Sequence, residues 1–257
     1  MSTVHLITDG SIAELRLDNP KKLNAFTLQM LAELDVHCQA IEANSEVRAV
    51  IVTAEKARAF CAGADIREWS PLSPDVFARD WVRGGHRVFD RLARLSRPTI
   101  AAIDGPVFGG GLEFVSCCDL RVISSDTTLA LPEASVGIVP GWSGTQRLVR
   151  LIGETAVKEM ALFGRRISSE RAVTLGFAAE VAETPRERAL ELAHAAVALS
   201  SSATEIAKYM IHAQVGEDRD ALIEALGSGM IAASADRAEG VASFFEKRPA
   251  NFGAISS

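Results

Sequence analysis

The chain has 257 residues, 48% of them hydrophobic, and 27 Lys and Arg against 33 Asp and Glu, a net charge of -6. That size supports one large domain or a domain with an appendage, and an acidic balance without a basic cluster speaks against a nucleic-acid binder. Apolar runs end well short of the roughly 18 residues of a membrane span, and the opening MSTVHLITDG lacks the basic and apolar segments of an export signal, so a soluble, cytoplasmic protein is expected.

Val4–Thr8 and Ile12–Leu17 alternate around Asp9-Gly10 and predict a β-hairpin. Leu28, Leu31, Leu34, Cys38 and Ile41 recur at helical spacing. Ala49–Thr53 (AVIVT) and Thr99–Ile103 (TIAAI) are continuous apolar strands. Between them, Pro74–Leu95 reads as helix, with a break expected at Gly84-Gly85. A short helix is expected over Gly111–Cys117, then a strand at Leu120–Ser124. This alternation points to an α/β core whose strands are covered on both faces. Past about Arg165 the pattern turns helical, over Ser168–Leu175, Arg186–Leu199, Ala203–Gln214, Ala221–Ala232 and Asp236–Lys247, with one strand signal at Ala178–Val181. The four cysteines form no C-x-x-C pair and the five histidines are scattered, so neither a disulfide framework nor a metal site is expected.

Two carboxylates carry the chemical signal. Pro98–Cys118 (PTIAAIDGPVFGGGLEFVSCC) holds only Asp104 and Glu113 as acids, and Thr127–Gln146 holds only Glu133. A carboxylate among residues that favour burial loses hydration and its pKa rises, which suits acid/base work. Gly109-Gly110-Gly111 lies between a predicted strand and a predicted helix, where a ligand can approach free backbone N–H groups. Read alone, such a run is more often a tight turn, and Glu113 beside Leu112, Phe114 and Val115 shifts the balance towards a site. Phe60–Ile66 (FCAGADI) follows the AVIVT strand, and its Asp65 also reads as a simple helix cap.

Other site patterns fail. The glycine run lacks the last Gly of G-x-G-x-x-G, no Gly-Lys-Ser/Thr occurs, and Gly141–Thr145 misses the nucleophile elbow by its fifth residue. With one Tyr and three Trp the chain is poor in the aromatic platforms of a sugar site. His86 and His212 read as helix or surface residues, Cys117-Cys118 as packing, and Trp69 and Trp81 equally as core or as lining of an acyl or subunit surface.

Taken together, Asp18–Ala25 (DNPKKLNA), FCAGADI, GPVFGGGLEF with CCDLRV, ALPEASVGIVPGWSGTQRL and EGVASFFEKRPANF resemble the crotonase (enoyl-CoA hydratase/isomerase) superfamily from about Val4 to Phe252. The resemblance implies a crotonase-type ββα spiral core with the acyl-CoA site over residues 1–195, and a C-terminal helical oligomerisation region over 196–257. It implies backbone N–H donors to a thioester oxygen at Ala64 and Gly110, and catalytic carboxylates at Glu113 and Glu133. It further implies coenzyme A contacts at Lys21, Lys22, Leu23, Ala62, Asp65 and Ile66, with Phe244 and Lys247 completing the pocket across subunits. The implied activity is that of a short-chain enoyl-CoA hydratase, a hydro-lyase adding water reversibly and syn to a 2-enoyl-CoA. No separate cofactor or metal is implied, since coenzyme A belongs to the substrate, and the assembly would be a homotrimer or dimer of trimers, with no nucleic acid and no membrane as partner. A carnitinyl-CoA dehydratase-like or other specialised hydratase is the nearest alternative, then an enoyl-CoA isomerase. A non-catalytic RNA-binding member of the fold is the reading from another class, disfavoured by the charge and by the two glutamates. Trp142-Ser143 departs from the small residues usual after Pro-Gly in hydratases; Trp142 either narrows the acyl pocket or packs in the core, with packing slightly favoured.

Overall fold

The computed structural model describes residues 2–252. It begins with β1 (Thr3–Asp9) and β2 (Ile12–Asp18), then α1 (Leu28–Ala43), β3 (Ala49–Ala54), α2 (Ile66–Trp69) and α3 (Pro74–Val76). A π-helical turn (Phe77–Val82) leads into α4 (Arg83–Ala93), followed by β4 (Thr99–Ile103), β5 (Val107–Phe108), α5 (Gly110–Val115), β6 (Leu120–Ile123) and β7 (Thr128–Ala130). After a 3-10 turn (Glu133–Val136) come α6 (Gly144–Phe163), β8 (Ile167–Ser168), α7 (Ser169–Thr174), β9 (Glu180–Val181) and α8 (Pro185–Val197). The last helices are α9 (Ser201–Gln214), α10 (Arg219–Ala232) and α11 (Ala235–Glu246). Two compact units divide the chain, Met1–Glu205 and Ile206–Ser257.

In the first unit β1-β2-β3-β4-β6-β9 form one sheet, antiparallel in the opening hairpin and parallel from β2 onwards. Alternate residues of a strand face opposite sides, and here both sides are apolar. Val50, Val52, Ala101 and Ile103 join Leu15, Leu17, Leu34 and Phe89 in the larger core. Ala49, Ile51, Ile100 and Ala102 meet Ala189 and Ala193 of α8 on the other face. Burial on both faces is why AVIVT and TIAAI carry no polar alternation. Helix α1 starts where the Thr27 hydroxyl accepts the Met30 N–H at 3.2 Å, and it buries Met30, Leu31, Leu34, Cys38 and Ile41. A second, three-stranded sheet, β5-β7-β8, lies close to the glycine run.

Three features depart from the sequence reading. The expected break at Gly84-Gly85 does not occur; both residues lie inside α4, and the irregularity is the π turn just before it. Helix α6 is not signalled by the sequence, because Gly153, at φ 81° and ψ 156°, kinks it in the middle. Strands β5, β7 and β8, of two or three residues, are too short to show a period. Among the described residues no helix is long and apolar enough to cross a membrane.

In the second unit, α11 is capped by the Ser234 hydroxyl on Arg237 N–H. Beyond it, Arg248 pairs with Glu239, which also accepts the Asn251 N–H at 2.7 Å.

Candidate active site

Two loops run side by side at the ends of β3 and β4. Phe60 N–H donates to Pro106 O at 2.8 Å and Phe108 N–H to Cys61 O at 2.9 Å, while Gly109 N–H donates to Ala130 O at 2.9 Å. Gly109, at φ 49° and ψ -127°, turns the chain from β5 into α5 in a conformation suited to glycine. Gly63, at φ 105°, lies so close to the facing loop that a Cβ there would sit 3.3 Å from Gly110 N. The approach brings Ala64 N and Gly110 N to one place, and among the described residues neither N–H has an acceptor in the protein.

Glu113 stands on the first turn of α5 and is 2% exposed. Its Oε1 accepts the N–H groups of Trp142 and Gly144, both at 2.8 Å, so the loop entering α6 holds one oxygen of the carboxylate. Gly144 is required here, since a Cβ would lie 2.5 Å from Glu113 Cγ. Burial pushes the Glu113 carboxyl up, against the N–H groups of Gly144, Trp142 and Gly141 and the charge of Arg147, and the net shift is upward.

Glu133 opens the 3-10 turn after β7 and is also buried. Its Oε2 has no hydrogen-bond partner among the described residues. Gly109 leaves room for the other oxygen, since a Cβ there would be 2.9 Å from Oε1. Burial, and then the neighbouring charge of Glu113, push this carboxyl up to about 7, with only its own backbone N–H opposing. Two carboxylates with raised pKa values thus share a pocket with two unengaged N–H donors. Most of the remaining wall is apolar, including Ile66, Trp69, Phe77, Trp81, Val82 and Trp142. Such a site can exchange protons with a bound molecule while hydrogen-bonding an oxyanion.

The two segments that the resemblance implies for coenzyme A lie side by side, and Ala62 and Ile66 also line the pocket. Asn24, wholly buried, accepts Asn19 N–H and donates to Glu55 O, which shapes the DNPKKLNA turn. Leu23 O accepts Ala62 N–H at 2.9 Å and Phe26 O accepts Asp65 N–H at 2.8 Å, so Lys21–Leu23 lie against Ala62–Ile66. Lys22 pairs with Asp65. Burial works to raise the Asp65 carboxyl, but the bonds from Lys22 and the Arg67 N–H outweigh it and hold the group below its ordinary value. Asp65 caps α2 as well, through that Arg67 N–H at 3.1 Å, so the simpler reading of this residue also holds. Phe244 and Lys247 belong to the second unit, where Phe244 is exposed beside Phe245 and Lys247 ends α11 at φ 55°.

The enoyl-CoA hydratase/isomerase family profile matches residues 8–254. The chain belongs to that family. A short-chain-enoyl-CoA hydratase of Clostridium acetobutylicum is 34% identical over 253 residues, 96% of each chain. A crotonyl-CoA hydratase of Syntrophomonas wolfei is 34% identical over 254 residues, 95% of each. Among solved structures, an enoyl-CoA hydratase from Bacillus anthracis aligns with a TM-score of 0.80 at 30% identity, over 97% of this chain and 98% of that one. Pseudomonas aeruginosa DspI aligns with a TM-score of 0.81 at 28% identity, over 97% and 96%.

Within this crotonase fold, a polar chain behind Glu113 escapes the sequence reading. Ser143 Oγ lies 2.8 Å from His86 Nδ1, His86 lies 3.3 Å from Asp90, and Asp90 pairs with buried Arg147 at 2.7 Å. His86 is thus a helix residue that ties the Glu113-binding loop to α4. No local sequence pattern signals this polar chain; Ser143 takes a φ of 78°, a left-handed backbone uncommon for a non-glycine residue. Cys61 is inert by contrast: burial pushes its thiol up to about 12, and its Sγ lies 3.0 Å from Asn24 O.

Proposed function

We propose that the protein is an enoyl-CoA hydratase that adds water reversibly and syn across the double bond of a 2-enoyl-CoA. The observation that carries this reading is the pair of buried carboxylates, Glu113 and Glu133, beside the unengaged N–H groups of Ala64 and Gly110. The thioester oxygen accepts from both N–H groups, which stabilise the enolate charge that develops as Cβ is attacked; losing such a donor costs roughly 3–4 kcal/mol. Glu113, with Oε1 fixed by Trp142 and Gly144, takes a proton from the attacking water through its other oxygen. Glu133, held near pH 7 in its titration, delivers a proton to Cα. The water oxygen bonds to Cβ, the C=C π pair becomes the Cα–H bond, and both carboxyls regain their starting states by proton exchange with solvent. The relatives' names, short-chain-enoyl-CoA hydratase and crotonyl-CoA hydratase, support the same chemistry.

Coenzyme A enters as part of the substrate, with no separate cofactor, and Lys21, Lys22, Leu23, Ala62, Asp65 and Ile66 grip its adenine and pantetheine. The working form is a cytoplasmic homotrimer or dimer of trimers, in which Phe244 and Lys247 complete a neighbour's pocket. The exposed side chains of Met230, Phe244 and Phe245 support such an assembly.

The test is loss of enoyl absorbance from crotonyl-CoA, with Glu113→Gln and Glu133→Gln alongside. Each substitution is expected to lower kcat by about 10² to 10⁴ while leaving the fold intact. Undiminished hydration in either variant would remove the two-carboxylate mechanism.

A further inference from the structure

The hydratase reading leaves the acyl group undefined, and Trp142 bears on it. Its indole forms part of the pocket wall while remaining 3% exposed. It is fixed on every side. Nε1 donates to Trp81 O at 3.1 Å, and Trp81 belongs to the π turn, where the extra residue shifts the helix out of its regular register. The rings of Trp81, Phe89 and Phe26 surround it, with centroids at 5.2, 5.1 and 6.1 Å.

Two glycines make room for it. A Cβ at Gly85 would lie 2.3 Å from the indole Nε1, and one at Gly110 would lie 2.8 Å from Cζ3. Gly84, next to Gly85 in the same helix, would meet nothing within 4 Å. Glycine weakens a helix interior, so the contrast assigns Gly85 a use that Gly84 lacks: it houses the indole. Contact with Gly110 also puts the indole directly under the residue that donates to the thioester oxygen, where the acyl chain must begin.

The cavity is about 140 Å³. An enclosed apolar cavity of about 150 Å³ holds one benzene ring, so the space beside the indole is of the size of a short acyl group. Resting on the hydratase reading, we propose that Trp142 is the specificity-determining residue of the acyl site: locked by Gly85 and the Trp81 carbonyl, it closes the inner end of the cavity and confines the enzyme to short, flat 2-enoyl thioesters.

Dissociation constants for the saturated thioesters butyryl-CoA and decanoyl-CoA, measured calorimetrically on the full chain, test the length limit without any turnover. The wild type is expected to hold decanoyl-CoA at least about tenfold more weakly than butyryl-CoA, and Trp142→Leu to narrow that ratio by about fivefold or more. Should Trp142→Leu not fold, Trp142→Phe keeps an aromatic ring in the cluster and should move the ratio the same way. Gly85→Ala should push the indole into the cavity and weaken butyryl-CoA. Equal affinities in the wild type, or a ratio that no Trp142 variant moves, would overturn the proposal. A preference for butyryl-CoA in a protein that hydrates no crotonyl-CoA would uphold the length limit and sink the hydratase reading alone.

Discussion

At Gly144 a single added methyl group would lie 2.5 Å from Cγ and 2.7 Å from Oε1 of Glu113. Gly144 has no left-handed backbone to protect, so Gly144→Ala is a clean steric probe. It should lower kcat by about 10² with a smaller change in KM, and cost roughly 1–3 kcal/mol of stability as the carboxylate is displaced. Steady-state kinetics with a urea titration separates the two effects, and unchanged kcat would mean the Glu113 position is not critical. Ser143, one residue earlier, makes the opposite case. Its φ of 78° costs a non-glycine residue roughly 1–2 kcal/mol, offset by the bond between its Oγ and His86. Ser143→Ala keeps the strain and loses the bond, whereas Ser143→Gly loses both. The alanine variant should therefore be the less stable by about 1 kcal/mol, read as the lower thermal midpoint. A glycine variant that melts first would show the strain to be negligible.

Helices α4 and α6 meet behind the site through Arg147, 3% exposed, and the partly buried Asp90, 2.7 Å apart. Asp90→Ala removes the ion pair and charge-assisted hydrogen bond that Asp90 makes with the buried guanidinium, so it should cost roughly 2–3 kcal/mol in urea unfolding. A loss below about 1 kcal/mol would show that apolar packing alone joins the two helices. This junction also shows what a sequence displays and what it hides. The hairpin, α1, β3 and β4 are legible because their apolar pattern is local: alternate in the hairpin, helical in α1, unbroken in strands buried on both faces. Glu113 and Glu133 stand out for a related reason, as rare charges in long apolar segments, Glu133 alone in its stretch and Glu113 with only Asp104. Helix α6 is not legible, because Gly153 interrupts its period and its entry uses Ser143 in a left-handed conformation. Nor is the purpose of Gly85 legible, which reads as a helix break until Trp142, distant in sequence, fills the space beside it.

Across the whole molecule, the carboxyl that the proposed mechanism uses as an acid, Glu133, also bears on stability. Its carboxyl is raised from an ordinary 4.5 to about 7, by burial and then by the charge of Glu113. The folded protein therefore binds this proton more tightly than the unfolded chain does. Between those two values the native state retains more protons than the unfolded state, so stability falls as pH rises. The penalty is absent below about pH 4.5, grows towards pH 7 and stays constant above it, reaching roughly 3 kcal/mol. Glu113, shifted in the same direction, adds to the fall. Glu133→Gln removes an ionisable group while keeping its shape, so it should stabilise the protein at pH 8 by up to about 3 kcal/mol and by much less at pH 5. Urea midpoints at the two pH values decide the matter: an equal gain at both would trace the effect to packing, and no gain at pH 8 would mean the carboxylate is solvated after all. On the proposed mechanism the same titration should appear in catalysis, with kcat/KM for hydration declining above about pH 7 as Glu133 loses the proton assigned to Cα. If the fall in stability levels off at the pH where hydration begins to decline, and Glu133→Gln reduces the first while abolishing the second, then the proton that supports the fold is the proton used in the reaction.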